Sequence, residues 1–322
     1  MQDKLIIGAR ASTLLFNYLI LIKNRIGSGI FILPANVCPI VPVTFLKAGI
    51  TFEFMDISKQ DYCIDKKTLK ERVKVGNRIK GVLFVRSYGY FENLNNFFST
   101  LKVLNSNLIL IDDRCLCMPT FSINQISPNA DMTLFSTGYS KYIELNKGGF
   151  AFLKDKWNYK EFIETYKKED HSVLVAKMNQ SILKNRSFNF HDSDWLEFEH
   201  KFELKEYQET IIEKIEQVKI HKSKINKIYS DYLPEEIQVE SKFNNWRFNI
   251  FVDNKNAIIK KLFEKKLFCS SHYSSVSHLF GGGLSLNAKT VHAKIVNLFN
   301  DYKFSEEMAL KASNIVKQNI AI

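Results

Sequence analysis

The residues best placed to do chemistry in this chain are Asp112, Asp113 and Lys141. The two aspartates close the run LILIDD, and the lysine stands six residues past Phe135 in DMTLFSTGYSKYIELNKGGFAFL. Each follows a short, β-rich apolar run. In a parallel sheet the loops at the carboxyl ends of strands converge on one crevice, so groups carried there become neighbours. A buried lysine can lose its proton and attack an aldehyde, forming an imine with pyridoxal phosphate. A carboxylate has the complementary task of pairing with the protonated pyridine nitrogen, which keeps the ring an electron sink. Position alone leaves Asp112 and Asp113 as alternatives for that task. Ser136, in the same loop as Lys141, suits the cofactor phosphate. Arg10 and Arg86 lie in segments that reach toward a common cleft, as ligands for phosphate or a substrate anion.

Other groups carry less chemistry. His272, His278 and His292 have spacings unlike those of a compact metal site, and no ordered acidic partners accompany them. Cys115 and Cys117 are one residue apart with no matching pair, so the five cysteines read as reduced, mostly buried thiols and not as a zinc site. The glycines at 281–283 lack the Lys-Ser/Thr ending of a phosphate loop and read as a connector.

The elements that would position these groups alternate along the first half of the chain. Leu5 to Gly8 is an apolar lead-in, and ARASTLLFNYLILIK is a helix with a wide apolar face and a cap from Ser12 or Thr13. The start of that helix offers backbone N–H groups to an anion. Ile30 to Leu33, Thr51 to Met55, Gly81 to Val85 and Leu108 to Ile111 read as strands. Helices toward Lys47, over Asp65 to Val73 with Asp65 as cap, and over Asn93 to Leu104 lie between them. This alternation predicts a doubly wound α/β domain with a mostly parallel sheet. From Trp157 to about Tyr232 the pattern becomes long, charged and helical, with an apolar stripe through Tyr207, Ile211, Ile215, Val218, Ile225, Ile228 and Tyr232. Past Pro234, a strand over Trp246 to Val252, a helix over Asn256 to Lys265, a short strand over Leu267 to Cys269, and helices near Ala288 to Phe299 and Phe304 to Gln318 predict a small α+β domain. The expected organisation is a large α/β domain over 1–200, a bridging helix over 201–233 and a small domain over 234–322.

Composition sets the class. An apolar fraction of 45% with 26 Phe and 13 Tyr in 322 residues describes a folded protein, not a disordered one. No apolar run approaches the roughly 20 residues that cross a bilayer. Leu14 to Ile22 is interrupted by Asn17 and lacks the flanks of a signal peptide, so a cytoplasmic protein is expected. The formal charge of +11 steers anions to the surface, but acids and bases are intermingled, and a nucleic-acid partner is not expected.

Taken in order, these segments resemble the DegT/StrS family of nucleotide-sugar aminotransferases, within the fold-type-I pyridoxal-phosphate enzymes. The resemblance rests on ILPANVCPIV followed by KAGITFEFMDI, on LILIDDRCLCMP, and on FSTGYSKYIELNKGGFAFL with its F-S-four residues-K pattern ending in a Gly-Gly strand. GARASTLLF, VRSYGY, WRFNIFV and LNAKTVHAKIVNLFND are weaker echoes, and together they span nearly the whole chain. The resemblance implies pyridoxal 5′-phosphate as cofactor, Lys141 as its covalent anchor, Asp113 as the pyridine-nitrogen partner and Ser136 as a phosphate ligand. It further implies a homodimer with shared sites and transfer of an amino group from glutamate to a nucleotide-linked keto sugar, in routes to surface polysaccharides or glycosylated products. The sequence departs from the family pattern at Leu116, where Gln or His is usual, at Cys38, where an aromatic often stacks on the ring, at Arg86, which replaces a frequent histidine, and at Asn146-Lys147, which replaces Gly-Glu. A lysine at 141 points away from the related dehydratases, which commonly carry histidine there. The alternative expectation is a relative that binds cofactor or sugar nucleotide with little or no turnover.

Overall fold

The computed structural model describes residues 3–154 and 158–320. Its main feature is a seven-stranded sheet built from β1 (Asp3–Gly8), β2 (Ile30–Pro34), β3 (Phe52–Met55), β4 (Ile79–Val85), β5 (Ile109–Asp113), β6 (Met132–Ser136) and β7 (Gly149–Lys154), in the order β1-β7-β6-β5-β4-β2-β3. β3, β2, β4, β5 and β6 are parallel neighbours, and β7 runs antiparallel between β6 and β1. The mostly parallel sheet expected from the strand and helix alternation is present.

Side chains alternate across a strand, so two faces are filled by different residues. Leu33, Val85, Ile111 and Leu134 pack with α1 (Ala11–Ile26) and α2 (Ile40–Ala48) on one face. Ile32, Val82, Phe84 and Leu110 pack with α3 (Lys66–Val75) and α4 (Asn95–Leu104) on the other. Both faces are covered, which is why these strands read as continuous apolar runs and not as alternating ones. Asp65 caps α3 as expected, accepting from Thr68 N at 2.7 Å. The cap expected for α1 is different: Arg10 holds the N-cap position without a side-chain capping bond, and the Thr13 hydroxyl donates to Glu197 O instead.

Two further expectations change. The charged stretch is not one helix: α5 (Lys168–Lys184) ends at Asn185 in the left-handed conformation, and α6 begins only at Leu204 and runs to Tyr232. Between them Phe188, Trp195, Leu196 and Phe198 leave helical spacing to fill the core beneath α1. The expected start at Trp157 lies outside the described residues. In the tail, α8 (Leu286–Lys294) stops short and Ile295–Leu298 forms β10, the middle strand of a second sheet in the order β8 (Phe248–Phe251), β10, β9 (Cys269–Ser270). All four residues of β10 are buried, a demand that a strand paired on both edges meets and a surface helix does not. α7 (Lys255–Glu264) and α9 (Glu306–Asn319) complete that core.

Helix α6 touches three regions along its length. Tyr207 and Ile211 pack on Phe135 and Phe150 of the large sheet, Val218 on Tyr142 and Ile143, and Ile225 and Tyr229 in the core of the small sheet. No helix among the described residues is long and apolar enough to cross a membrane.

Candidate active site

The carboxyl end of β5 separates its two aspartates. Asp112 pairs in register with Phe84, so it points to the α3 and α4 face, and Arg86, two residues on from Phe84, points the same way. There Arg86 holds Asp112 through Nε at 2.7 Å and Nη2 at 3.0 Å, while Arg114 Nε adds a third bond at 2.8 Å. Burial alone would raise the Asp112 carboxyl, but the two guanidinium groups outweigh it and hold it below its ordinary value. Arg86 is 1% exposed and also donates to Glu92 O. The expectation that Arg86 reaches the cleft is therefore corrected: strand alternation turns it to the opposite face, where its donors hold Asp112 and the Glu92 carbonyl.

Asp113 pairs with Leu134 and faces the other side, into a cavity of about 550 Å³. Arg10, Ser136 and Lys141 line the same cavity, with Ser12, Cys38 and Cys115. Among the described residues Asp113 takes its hydrogen bonds from Cys115, whose N–H donates to Oδ1 at 2.9 Å. Burial raises its pKa; the bond from Cys115 and the charge of Lys141 oppose that shift without cancelling it. A desolvated carboxylate without a tight ion pair is a site for a cationic group of a ligand.

Lys141 sits on the loop joining β6 to β7. The base of this loop is closed by Leu145 N donating to Thr137 O at 2.8 Å and Thr137 Oγ1 donating to Lys147 O at 2.7 Å. At its end, Gly149 lies so close to α1 that a Cβ there would stand 2.6 Å from Ala11 N. The paired glycines thus let the start of α1 meet the lysine loop, and Gly148 N donates to Ala9 O at 2.8 Å. That close approach brings Arg10 beside Ser136. Arg10 donates from Nε to Glu197 Oε2 at 2.9 Å and from Nη1 to Asn146 O at 2.9 Å.

The top of the lysine loop is held from far along the chain. Ser140, immediately before Lys141, has φ +59°. Its carbonyl accepts from Trp246 Nε1 at 2.7 Å, its hydroxyl accepts from Arg247 Nη2, and its N–H donates to Glu144 Oε2 at 2.7 Å. Burial pushes Arg247 down to about 10. Tyr273 stacks on Trp246 at 6.4 Å, and burial, with Cys38 and Asp113 nearby, drives its hydroxyl well above its ordinary value. Sequence reasoning did not reach Trp246, Arg247 or Tyr273 as supports of the lysine loop; the WR that opens WRFNIFV was the only local trace of the first two. Tyr166, His171, Trp195 and Glu197 also line the cavity and were hidden inside a stretch read as helix. Cys38 lies in the cavity, its thiol raised by burial and partly restored by the Lys141 charge. Leu116 packs with Ala35, Tyr88 and Trp246.

With this geometry in view, the comparisons with known proteins decide the family. The sequence profile of the DegT/DnrJ/EryC1/StrS aminotransferase family matches residues 32–289. The chain belongs to this family. It is accordingly a pyridoxal-phosphate-dependent enzyme of the sugar aminotransferase group, with the fold-type-I architecture. PseC of Helicobacter pylori, an aminotransferase involved in the biosynthesis of pseudoaminic acid, superposes with a TM-score of 0.72 at 15% identity, over 98% of this chain and 86% of that one. DesI, solved in the presence of its TDP-sugar product, gives 0.73 at 13% identity, over 98% and 80%. An Escherichia coli GDP-4-keto-6-deoxy-D-mannose-3-dehydratase with bound hydrated PLP gives 0.66 at 17% identity, over 98% and 88%. No curated protein matches the sequence.

The residues of the cavity fit the cofactor. A lysine, a buried carboxylate lacking a tight counterion, a serine hydroxyl and an arginine at a helix start match in kind an aldehyde, a pyridinium nitrogen and a phosphate.

Proposed function

We propose that this enzyme moves the amino group of glutamate to a keto sugar carried on a nucleotide, with Lys141 as the covalent anchor and proton carrier. The observation that supports the reading most is the meeting of Lys141 and Asp113 in one cavity with Ser136 and Arg10. Bound there, pyridoxal phosphate supplies the aldehyde carbon that carries the amino group and a ring that takes up negative charge. Asp113 would hold the pyridine nitrogen in its protonated form. The Ser136 hydroxyl, the first turn of α1 and Arg10 would hold the phosphate. With the cofactor bound, Lys141 would be its covalent anchor and, once free, its amine would carry a proton to and from the substrate, so one side chain would serve first as nucleophile and then as acid and base.

The acceptor class follows the named activities of the similar structures, since DesI was solved with a TDP-sugar product. The fold also accommodates a dehydratase. Lys141 favours amination, because an amine at that position attaches to the cofactor. We place the enzyme in the cytoplasm, a setting that its free cysteines suit, and in a homodimer, for which Tyr139 at the cavity rim, 72% exposed, offers an apolar contact. The test is a single-turnover reaction: cofactor-loaded enzyme mixed with glutamate alone should release one 2-oxoglutarate per site, and a nucleotide-linked keto sugar added next should leave aminated. No 2-oxoglutarate under these conditions would reject glutamate as donor.

A further inference from the structure

Buried beneath the lysine loop is a second lysine that the proposed chemistry does not use. Lys222, on α6, is 4% exposed. Its Nζ donates to Trp246 O at 2.9 Å and to Asn300 Oδ1 at 2.7 Å, and it lies 5.1 Å from the centre of the Tyr142 ring. Trp246 in turn donates from Nε1 to Ser140 O at 2.7 Å. From Lys222, then, one path runs through Trp246 to Ser140 and another through the Tyr142 ring, and Ser140 and Tyr142 are the residues on either side of Lys141.

A buried ammonium is costly, and an apolar side chain of similar length fills such a space with less penalty. Burial, with the neighbouring charge of Arg247, lowers Lys222 to about 7. A neutral amine still carries two N–H groups, and Trp246 O and Asn300 Oδ1 need two, so both bonds survive loss of the charge. What the position requires is a donor that reaches two carbonyl oxygens at once.

We propose that Lys222 is a positioning residue for Lys141, setting the place of its backbone through Trp246 and Ser140 on one side and the Tyr142 ring on the other. The inference rests on the reading of Lys141 as the covalent anchor. Small displacements of a nucleophile lower its reactivity steeply, so the effect falls on how fast Lys141 engages the cofactor.

The experiment mixes the full-length protein with pyridoxal phosphate, stops the reaction with borohydride at intervals, and locates the reduced adduct by peptide mass spectrometry. Lys222→Met should slow labelling of Lys141 by roughly tenfold or more, while circular dichroism and melting show a folded protein. Lys222→Gln, which keeps two N–H donors, should restore much of the rate, a rescue that simple filling of space does not give. Should Lys222→Met fail to fold, Trp246→Phe, which removes the bond to Ser140 O together with part of the ring packed on Tyr273 and Leu116 but keeps the Trp246 carbonyl for Lys222, should slow labelling in the same way. Equal labelling rates in wild type and a folded Lys222→Met or Trp246→Phe would overturn the inference, as would a rate that follows melting temperature across the variants irrespective of the donor. Absence of an adduct on Lys141 in the wild type is a separate result that removes the anchor assignment itself and this inference with it.

Discussion

On one face of β5, Asp112 meets two guanidinium groups; on the other, Asp113 meets a cavity. The residues are adjacent, both are buried, and both are carboxylates, yet the first is held below its ordinary pKa and the second is raised above it. The difference lies in who supplies the counter-charge. Arg86 and Arg114 supply it to Asp112 from within the chain, and that cluster serves the fold. Asp113 has no such ion pair among the described residues and faces the cavity. Of such a pair, the buried carboxylate raised mainly by desolvation and open to a cavity is the candidate for function.

The largest effect is expected at Asp112. Asp112→Ala leaves two buried guanidinium groups without their carboxylate, and stability should fall by about 3 to 5 kcal/mol, read from urea unfolding. A loss below 1 kcal/mol would mean that the Arg86 and Arg114 cluster is solvated and that the two faces are alike. Asp113→Asn should do the reverse: unfolding stays within about 1 kcal/mol of wild type, while the single-turnover amination rate drops by about 100-fold or more.

Acidity sharpens the contrast, because the two shifts have opposite linkage. The Asp112 pKa is depressed by folding, so its contribution is present above the ordinary carboxylate range and is lost as pH falls through the folded value. The Asp113 pKa is raised, so its burial begins to destabilise the cofactor-free protein as pH rises from the ordinary value through the folded one. The stability advantage of Asp113→Asn over wild type should therefore grow with pH across that window and level off above it. An advantage that shrinks with rising pH would contradict the assignment. The smallest effect belongs to Arg10→Met. Its pair with Glu197 is part-exposed, so stability changes by less than about 1 kcal/mol, whereas cofactor affinity, measured by fluorescence titration, weakens roughly tenfold.

Much of this was legible from local pattern. The buried strands of the large sheet read as apolar runs, and the ends of β5 and β6 read as loops carrying Asp113, Ser136 and Lys141. Arg10 could be placed near a helix start. Which aspartate faces the cavity follows from strand alternation once Phe84 and Asp112 are known to pair, but strand register is a long-range property that the runs alone do not fix. The same property turned Arg86 away. β10 was hidden because AKIVNLF has the apolar content of a buried helix, and only pairing with β8 and β9 settles it as a strand. Trp246, Arg247 and Lys222 reach the lysine loop from about a hundred residues away in sequence or nearly so, and no periodicity links them to it.

The most direct measurement is the visible absorption spectrum of wild type, Lys141→Ala and Asp113→Asn after titration with pyridoxal phosphate. Wild type should show a band of lysine-bound cofactor, Lys141→Ala should lack it, and Asp113→Asn should show a band of altered position or strength. A band of equal strength in Lys141→Ala would contradict this, because another amine would then be the one that holds the cofactor.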